Sequence, residues 1–349
     1  MVRSLYSGVS GLTTHQQRMD VIGNNIANVN TYGFKASRVT FRDVYYQTSI
    51  GETAGTHSFA GNNPSTVGYG VQLGSIDKDM SMSSFQSTNR VLDLAISGDG
   101  FFITSQFDGS LLNADPDTGM LADPYNVPPK STTYTRMGNF SIDSNGNLVA
   151  GANTFVLGTC NSDEGLALVG DESAAILDTL TITSGRNTEG DNEEEGDVFS
   201  SDLTAANIIN IEELINQAYA EDLEDTEKWL TYADLSAFQI GKDGVITVTY
   251  NSKMKAIARI ELATFDNQEG LIEDGNTSFL ETAASGVAKI KKPGDSGAGF
   301  TQSNKLEMSN VNLAQEFSDM IVTQRGYQAN ARIITTSDSM LEELVNLKR

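Results

Sequence analysis

Taken alternately four and three residues apart from Leu313, the chain meets Phe317, Met320, Gln324, Tyr327, Ala331, Ile334, Asp338, Leu341 and Val345, and eight of these ten positions are apolar or aromatic. A repeat of that period predicts an amphipathic helix with a heptad seam spanning 33 residues, roughly 50 Å at a rise of 1.5 Å per residue. No Pro interrupts it, and Asn310 or Asn312 is placed to cap its start. The same stepping from Leu5 meets Val9, Leu12, Gln16, Met19, Gly23 and Ile26, with five of seven positions apolar. This helix runs into Asn28, Asn30 and Gly33, residues that tolerate left-handed backbone and so end helices. A single pair of narrow stripes buries too little to offset its ordering entropy. The stripes are therefore expected to serve assembly. Leu5, Val9, Leu12, Met19, Ile26, Leu313, Phe317, Met320, Tyr327, Ile334 and Leu341 form the candidate polymerisation interface, and an intramolecular hairpin alone is the plainer alternative.

Between the helices the period changes to two. Leu92, Leu94 and Ile96 alternate with Asp93, Ala95 and Ser97, then reach a Gly98-Asp99-Gly100 turn before Phe101, Phe102 and Ile103. Phe140 and Ile142 lead through Asn145-Gly146, a favoured hairpin turn, to Leu148 and Val149. Asp243-Gly244 precedes Val245, Ile246, Val248 and Tyr250, and Ile260 and Leu262 alternate with Arg259 and Glu261. Helical crossovers do not separate these strands, so an antiparallel arrangement is expected. Residues 162–225 stand apart, with 18 Asp and Glu against the single Arg186. They read as an inserted outer domain in which Ala205 to Ala220 is helical, with Ile208, Ile209, Ile211, Leu214 and Ile215 on its apolar side.

Composition narrows the chemistry. The net charge of -23 would repel a phosphate backbone, so nucleic-acid binding is not expected. One Cys and two His, His15 and His57, leave little for a metal cage, a disulfide or a catalytic triad. No cofactor is expected, and no nucleophile with a base offers an enzyme reading. No apolar run is long enough to span a membrane, and the first residues lack the apolar core of a cleaved signal peptide. Asp191, Glu193, Glu195, Gly196, Asp197 and Asp202 fall on positions of a calcium-loop template, but the third, fifth and twelfth residue types and the flanks do not fit, so a solvated acidic loop is the reading. Cys160 reads as a small, partly buried apolar residue, His15 as a flank residue of the first helix, and Gly68, Gly70 and Gly74 as turn glycines rather than a nucleotide fingerprint.

LYSGVSGL at 5–12, MDVIGNNIANVNTYGFK at 19–35 and FRDVYYQT at 41–48 resemble the N-terminal signature of the axial proteins of the bacterial flagellum, the rod, hook and hook-associated proteins. SNVNLAQEFSDMIVTQRGYQANARIITTSDSMLEEL at 309–344 is similar to their C-terminal signature, and LDLAISGDGFF at 92–102 and YTRMGNFSIDSNGNLV at 134–149 to their shared β domain. Asn24, Asn25, Asn28, Gly33 and Phe34 are the family-motif residues. The resemblance is greatest to hook, because of the insertion and of SRVTF at 37–41, with the distal rod as the alternative. It implies a mixed α and β fold, with paired, coiled-coil-like terminal helices and antiparallel β domains inserted between them. The expected division is 1–30 plus 305–349 for helical assembly, 31–71 as an extended connection, 72–157 plus 236–304 as the β-rich domain and 158–235 as the acidic insert.

The resemblance also implies a non-enzymatic subunit, exported through the type III apparatus without a cleaved signal, whose helices line a hollow tube that couples motor torque to the filament. Expected partners are further copies of the chain, rod and hook-associated proteins, the hook cap and the export apparatus, with no nucleic acid and no membrane. Some hook proteins form a covalent cross-link to Lys through a Cys-Asn pair, and Cys160-Asn161 matches that dipeptide alone. From a different class, a secreted acidic calcium-binding adhesin or enzyme is the competing reading.

Overall fold

Both amphipathic stretches are helical in the computed structural model, over Val2–Ala27 and Leu313–Leu347. The structure describes residues 2–55, 60–106, 131–143, 146–151, 154–160, 207–209, 211–219, 237–251 and 253–347. Asn312 caps the C-terminal helix, its Oδ1 accepting from the N–H groups of Ala314 at 3.1 Å and Gln315 at 3.4 Å. The described chain divides into two compact units.

The first unit comprises Met1–Thr31, Lys35–Ser81 and Ser309–Arg349. Besides the helices it holds β1 (Ser37–Asp43), β2 (Tyr46–Ile50), β3 (Ser65–Gly68) and β4 (Val71–Lys78). β1 pairs antiparallel with β4 and β2 with β3, and the bonds Val44 N–H to Gly70 O and Tyr69 N–H to Tyr45 O join the two ladders into one long ribbon. The stretch 31–71 is thus more than an extended connection, and the helical unit continues to Ser81. Gly70, at φ +115°, lets the ribbon meet the N-terminal helix at Ser7 and Ser10.

The second unit, Tyr32–Phe34 with Met82–Met308, is β-rich. In chain order its strands are β5 (Phe85–Ser87), β6 (Leu94–Ser97), β7 (Phe101–Gln106), β8 (Ser131–Thr135), β9 (Ser141–Ile142), β10 (Leu148–Ala150), β11 (Thr154–Cys160), β12 (Asn207–Ile208) and β13 (Ala237–Ile240). There follow β14 (Val245–Tyr250), β15 (Lys253–Ile260), β16 (Leu262–Thr264), β17 (Ile272–Gly275), β18 (Ser278–Leu280), β19 (Lys289–Lys291), β20 (Phe300–Ser303) and β21 (Lys305–Glu307). The main sheet runs β13-β14-β15-β11-β7-β8-β18-β17, antiparallel throughout, as the turn chemistry predicts. Leu94, Ile96, Phe102, Phe140, Val156, Ile246, Val248, Ile260 and Leu262 lie in one buried cluster. Each such side chain contributes roughly 1.5–3 kcal/mol by leaving water. Phe101, Tyr134, Phe265 and Phe279 meet edge to face, with ring centroids 4.9–5.8 Å apart.

The helix expected over Ala205 to Ala220 is shorter, Ile211–Ala218, because Asn207–Ile208 pairs with β11 instead. Ile209, Ile211, Ile215 and Tyr219 join the buried cluster of the β unit. The described part of the acidic insert is therefore core, which its four apolar groups require. The calcium-loop residues, Arg186, His57 and Asn161 lie outside the described residues. Cys160 ends β11, its backbone paired with Ala258.

Candidate assembly interface

The two helices pack antiparallel within the first unit. Asn25 lies against Glu316, Arg18 against Asp319, His15 against Gly326, Gly11 against Asn330, Gly8 against Ile334 and Ser4 against Ser337. On the N-terminal helix this seam is Ser4, Gly8, Gly11, His15, Arg18, Ile22 and Asn25. It has the predicted four-three step but starts one residue earlier than the apolar stripe, a rotation of about 100°. The reason is steric: a Cβ at Gly8 would lie 3.1 Å from Ile334 Cγ1, at Gly11 2.5 Å from Asn330 Nδ2, and at Gly326 2.7 Å from His15 Cε1. Small residues let the backbones approach, so the contact is built on them rather than on interdigitated apolar side chains.

The predicted stripe flanks that seam. Leu5, Leu12, Met19, Ile26, Met320, Ile334 and Leu341 are half-buried, while Val9, Leu313, Phe317 and Tyr327 are exposed, Phe317 at 50%. Ile321, Val322, Ile333, Met340 and Leu344, outside the heptad count, are also exposed. At about 100° per residue, Val322, Ile333, Met340 and Leu344 lie on the opposite side of the helix from the heptad stripe, apolar positions that the heptad count omits. Among the described residues of this unit, Ile22 is the one large apolar side chain fully buried. The other buried positions are polar or small, with Thr14, Asn25, Thr323 and Ser337 among them.

The motif residues fix the helix ends. Buried Asn25 donates from Nδ2 to Ser37 O at 2.9 Å and Glu316 Oε1 at 3.0 Å, and its Oδ1 accepts from Ser37 N–H at 3.0 Å. One amide thus joins both helices and β1. Burial raises the Glu316 carboxyl above the usual carboxylate range, and the Asn25 hydrogen bond partly offsets this. Asn28 donates to Asn24 Oδ1 and O at 2.8 and 3.0 Å, closing the last turn. Asn310 accepts from Ala36 N–H at 2.7 Å and donates to Asp79 O at 2.7 Å, while the buried ammonium of Lys35 donates to Ser81 O at 2.7 Å.

Gly33 and Phe34 belong to the β unit. Gly33, at φ +71°, donates its N–H to Glu307 O at 2.9 Å and lies against the backbone of Arg136 and Met137. Behind it is a buried ion pair: Arg136 Nη1 is 3.3 Å from Glu307 Oε2, Nη2 donates to Gly98 O at 2.9 Å, and the guanidinium lies 5.2 Å from the Phe101 ring centroid. Glu307 Oε1 accepts from Ser83 N–H at 3.3 Å. Sequence reading missed this pair, because residues 171 positions apart show no local pattern. Among the described residues no group of three His, Cys, Asp or Glu is placed to hold a metal, and no helix is long and apolar enough to cross a membrane.

Residues 5–35 match a family described as flagella basal body rod protein, and residues 302–347 one described as flagellar basal body rod FlgEFG protein C-terminal. A flagellar basal-body rod protein FlgG of Bacillus subtilis is 38% identical over 351 positions, covering all of both chains. The chain belongs to the flagellar rod and hook family. A flagellar hook protein FlgE of Borreliella burgdorferi is 32% identical over 463 positions, and a rod protein FlgG of the same organism 30% identical over 352, each again over all of both chains. This is a family of structural flagellar proteins. Its two matched segments contain the antiparallel helices and Asn25, Gly33 and Phe34.

Proposed function

We propose that the chain is a structural subunit of the flagellar hook that self-assembles through its terminal helices into a hollow tube, a flexible coupling that passes motor torque to the filament. One observation carries the assembly reading. Among its described residues the helical unit buries a single large apolar side chain, Ile22, while Val9, Phe317, Ile321, Val322, Ile333, Met340 and Leu344 stand exposed along its helices. Such a unit gains its hydrophobic stabilisation from neighbouring copies. Leu5, Leu12, Met19, Ile26, Leu313, Met320, Tyr327, Ile334 and Leu341 belong to the same proposed interface. Export without a cleaved signal, and contacts with rod, hook-associated, cap and export components, go with this reading.

Within the family, identity favours the rod, at 38% over 351 positions against 32% over 463 for the hook protein, and hook rests on the insertion and on SRVTF at 37–41. The distal rod is also favoured by length. The hook alignment is 463 − 349 = 114 positions longer than the chain, the Bacillus rod alignment 351 − 349 = 2. Antibody against the purified chain, applied to isolated basal bodies with hooks attached, separates the two. Decoration of the curved segment supports hook, and decoration confined to the straight shaft assigns the chain to the rod.

A further inference from the structure

The helix seam closes around His15, one of two histidines in the chain. A Cβ at Gly326 would lie 2.7 Å from its Cε1 and 2.8 Å from Nε2, so the C-terminal helix backbone lies directly against the ring. Phe41 of β1 meets the imidazole edge to face, centroids 5.8 Å apart at 83°. Nδ1 is buried and has no hydrogen-bond partner. The charged groups that reach this place are Arg18, one turn along the same helix, and Asp319 of the C-terminal helix, which holds Arg18 at 3.3 Å. β1 brings the uncharged Phe41, over which Arg18 also lies, at 5.8 Å. Glu316, farther along the C-terminal helix, is bonded to Asn25.

We propose that His15 is a proton-sensitive latch of the helix pair: taking up a proton there loosens the contact between the N- and C-terminal helices, and acid opposes assembly through them. An imidazolium has two N–H donors, and the buried Nδ1 has no acceptor. Its charge would stand beside Arg18, whose counter-charge is already engaged. Gly326 packs directly against the ring. In keeping with this, burial first and Arg18 second hold His15 below the ordinary histidine value of 6.5.

The sign follows from which state holds the proton. With the paired-state value depressed, the separated helices bind more protons below about pH 6.5, so pairing is complete above that pH and weakens as pH falls through the window beneath it. One linked proton limits the effect to about tenfold in the pairing equilibrium per pH unit. Glu316 acts in the opposite sense. Its raised paired-state value means that pairing takes up a proton there, which favours the pair in acid.

The test follows the thermal midpoint of the helical circular dichroism signal of the full-length chain from about pH 7.5 to about pH 5. The latch rests on the helices being the assembly element, but this signal reads the pair whether or not tubes form, so the two ideas fail separately. The midpoint of the parent chain should fall with acid, that of His15→Gln should stay level or rise slightly as Glu316 takes up its proton, and that of Glu316→Gln should fall more steeply than the parent. Equal slopes for the parent and His15→Gln would overturn the proposal. Should His15→Gln fail to form helices, the imidazole Cε1–H resonance of His15 decides in a His57→Gln background. A titration midpoint below 6.5 supports the latch, and one at or above it refutes it.

Discussion

Gly33→Ala should destabilise the β unit well beyond the loss of a flexible residue. At φ +71° an L side chain is held in left-handed backbone, at about 1–2 kcal/mol. The new Cβ would also lie 2.9 Å from Met137 N and 3.0 Å from the carbonyl carbon of Arg136. Both are backbone atoms fixed beside the buried Arg136–Glu307 pair, so relief requires moving a strand end rather than turning a side chain. Overpacking of that kind adds roughly 1–3 kcal/mol. Gly275 is the internal control, since it has φ +85° but nothing within 4 Å of its Cβ direction, so Gly275→Ala meets the backbone penalty alone. At roughly 2–4 °C per kcal/mol for a domain of about 200 residues, Gly33→Ala should melt about 2–12 °C below Gly275→Ala. Urea titration and near-ultraviolet circular dichroism of the full chain would measure both. Equal losses for the two variants would refute the claim that close backbone contact is what requires glycine at 33.

Arg136→Met should cost about 3–5 kcal/mol in urea unfolding, because the buried guanidinium facing the Glu307 carboxylate would be lost, and adding Glu307→Gln should recover much of that loss. Asn25→Ala removes an amide that bonds Ser37 and Glu316 at once, so the helical signal should be lost at a urea concentration equivalent to about 1–3 kcal/mol less stability, while the β unit unfolds as before. Phe317→Glu with Val322→Glu places charge on exposed positions. Sedimentation should show loss of polymer with an unchanged melting point of the β unit, and normal tube formation would sink the proposed interface.

The periods of the chain carried most of the fold. A four-three repeat marked both helices, and period-two segments with Asp99-Gly100 and Asp243-Gly244 turns marked strands of the sheet. What periodicity could not assign was rotation. The stripe through Leu5, Val9 and Leu12 announces an apolar face, yet the intrachain contact runs through Ser4, Gly8 and Gly11, because close approach of two backbones depends on absent side chains rather than on apolar ones. The end of the insert was misjudged for a related reason. Ile209, Ile211 and Ile215 read as the apolar side of a helix in an outer domain, but together with Tyr219 they are buried in the cluster of the β unit. The Gly33 motif was recognised as a helix stop, but its partners Glu307 and Arg136 are distant in sequence and became visible only with the strands paired.

The small-residue seam and the exposed apolar flanks follow from one constraint. If the large side chains of the two helices met each other, they would hold the pair at the wider spacing of interdigitated side chains and leave little apolar surface for other molecules. By meeting through Gly8, Gly11, Gly326 and Ser337, the helices remain close while Val9, Phe317, Ile321 and Val322 stay available. Such a pair has few strong contacts of its own: the one-third-exposed Arg18–Asp319 bridge contributes at most about 1 kcal/mol, and the buried Asn25 amide is the stronger polar contact. On the proposed reading, neighbouring copies would add the apolar burial that a single chain lacks. A seam carried by few strong contacts is also the place where one titrating group, His15, can tip the balance. The β unit differs in burying its aromatic residues within one chain, where Phe101 meets Phe265 and Phe279, and Phe265 meets Tyr134.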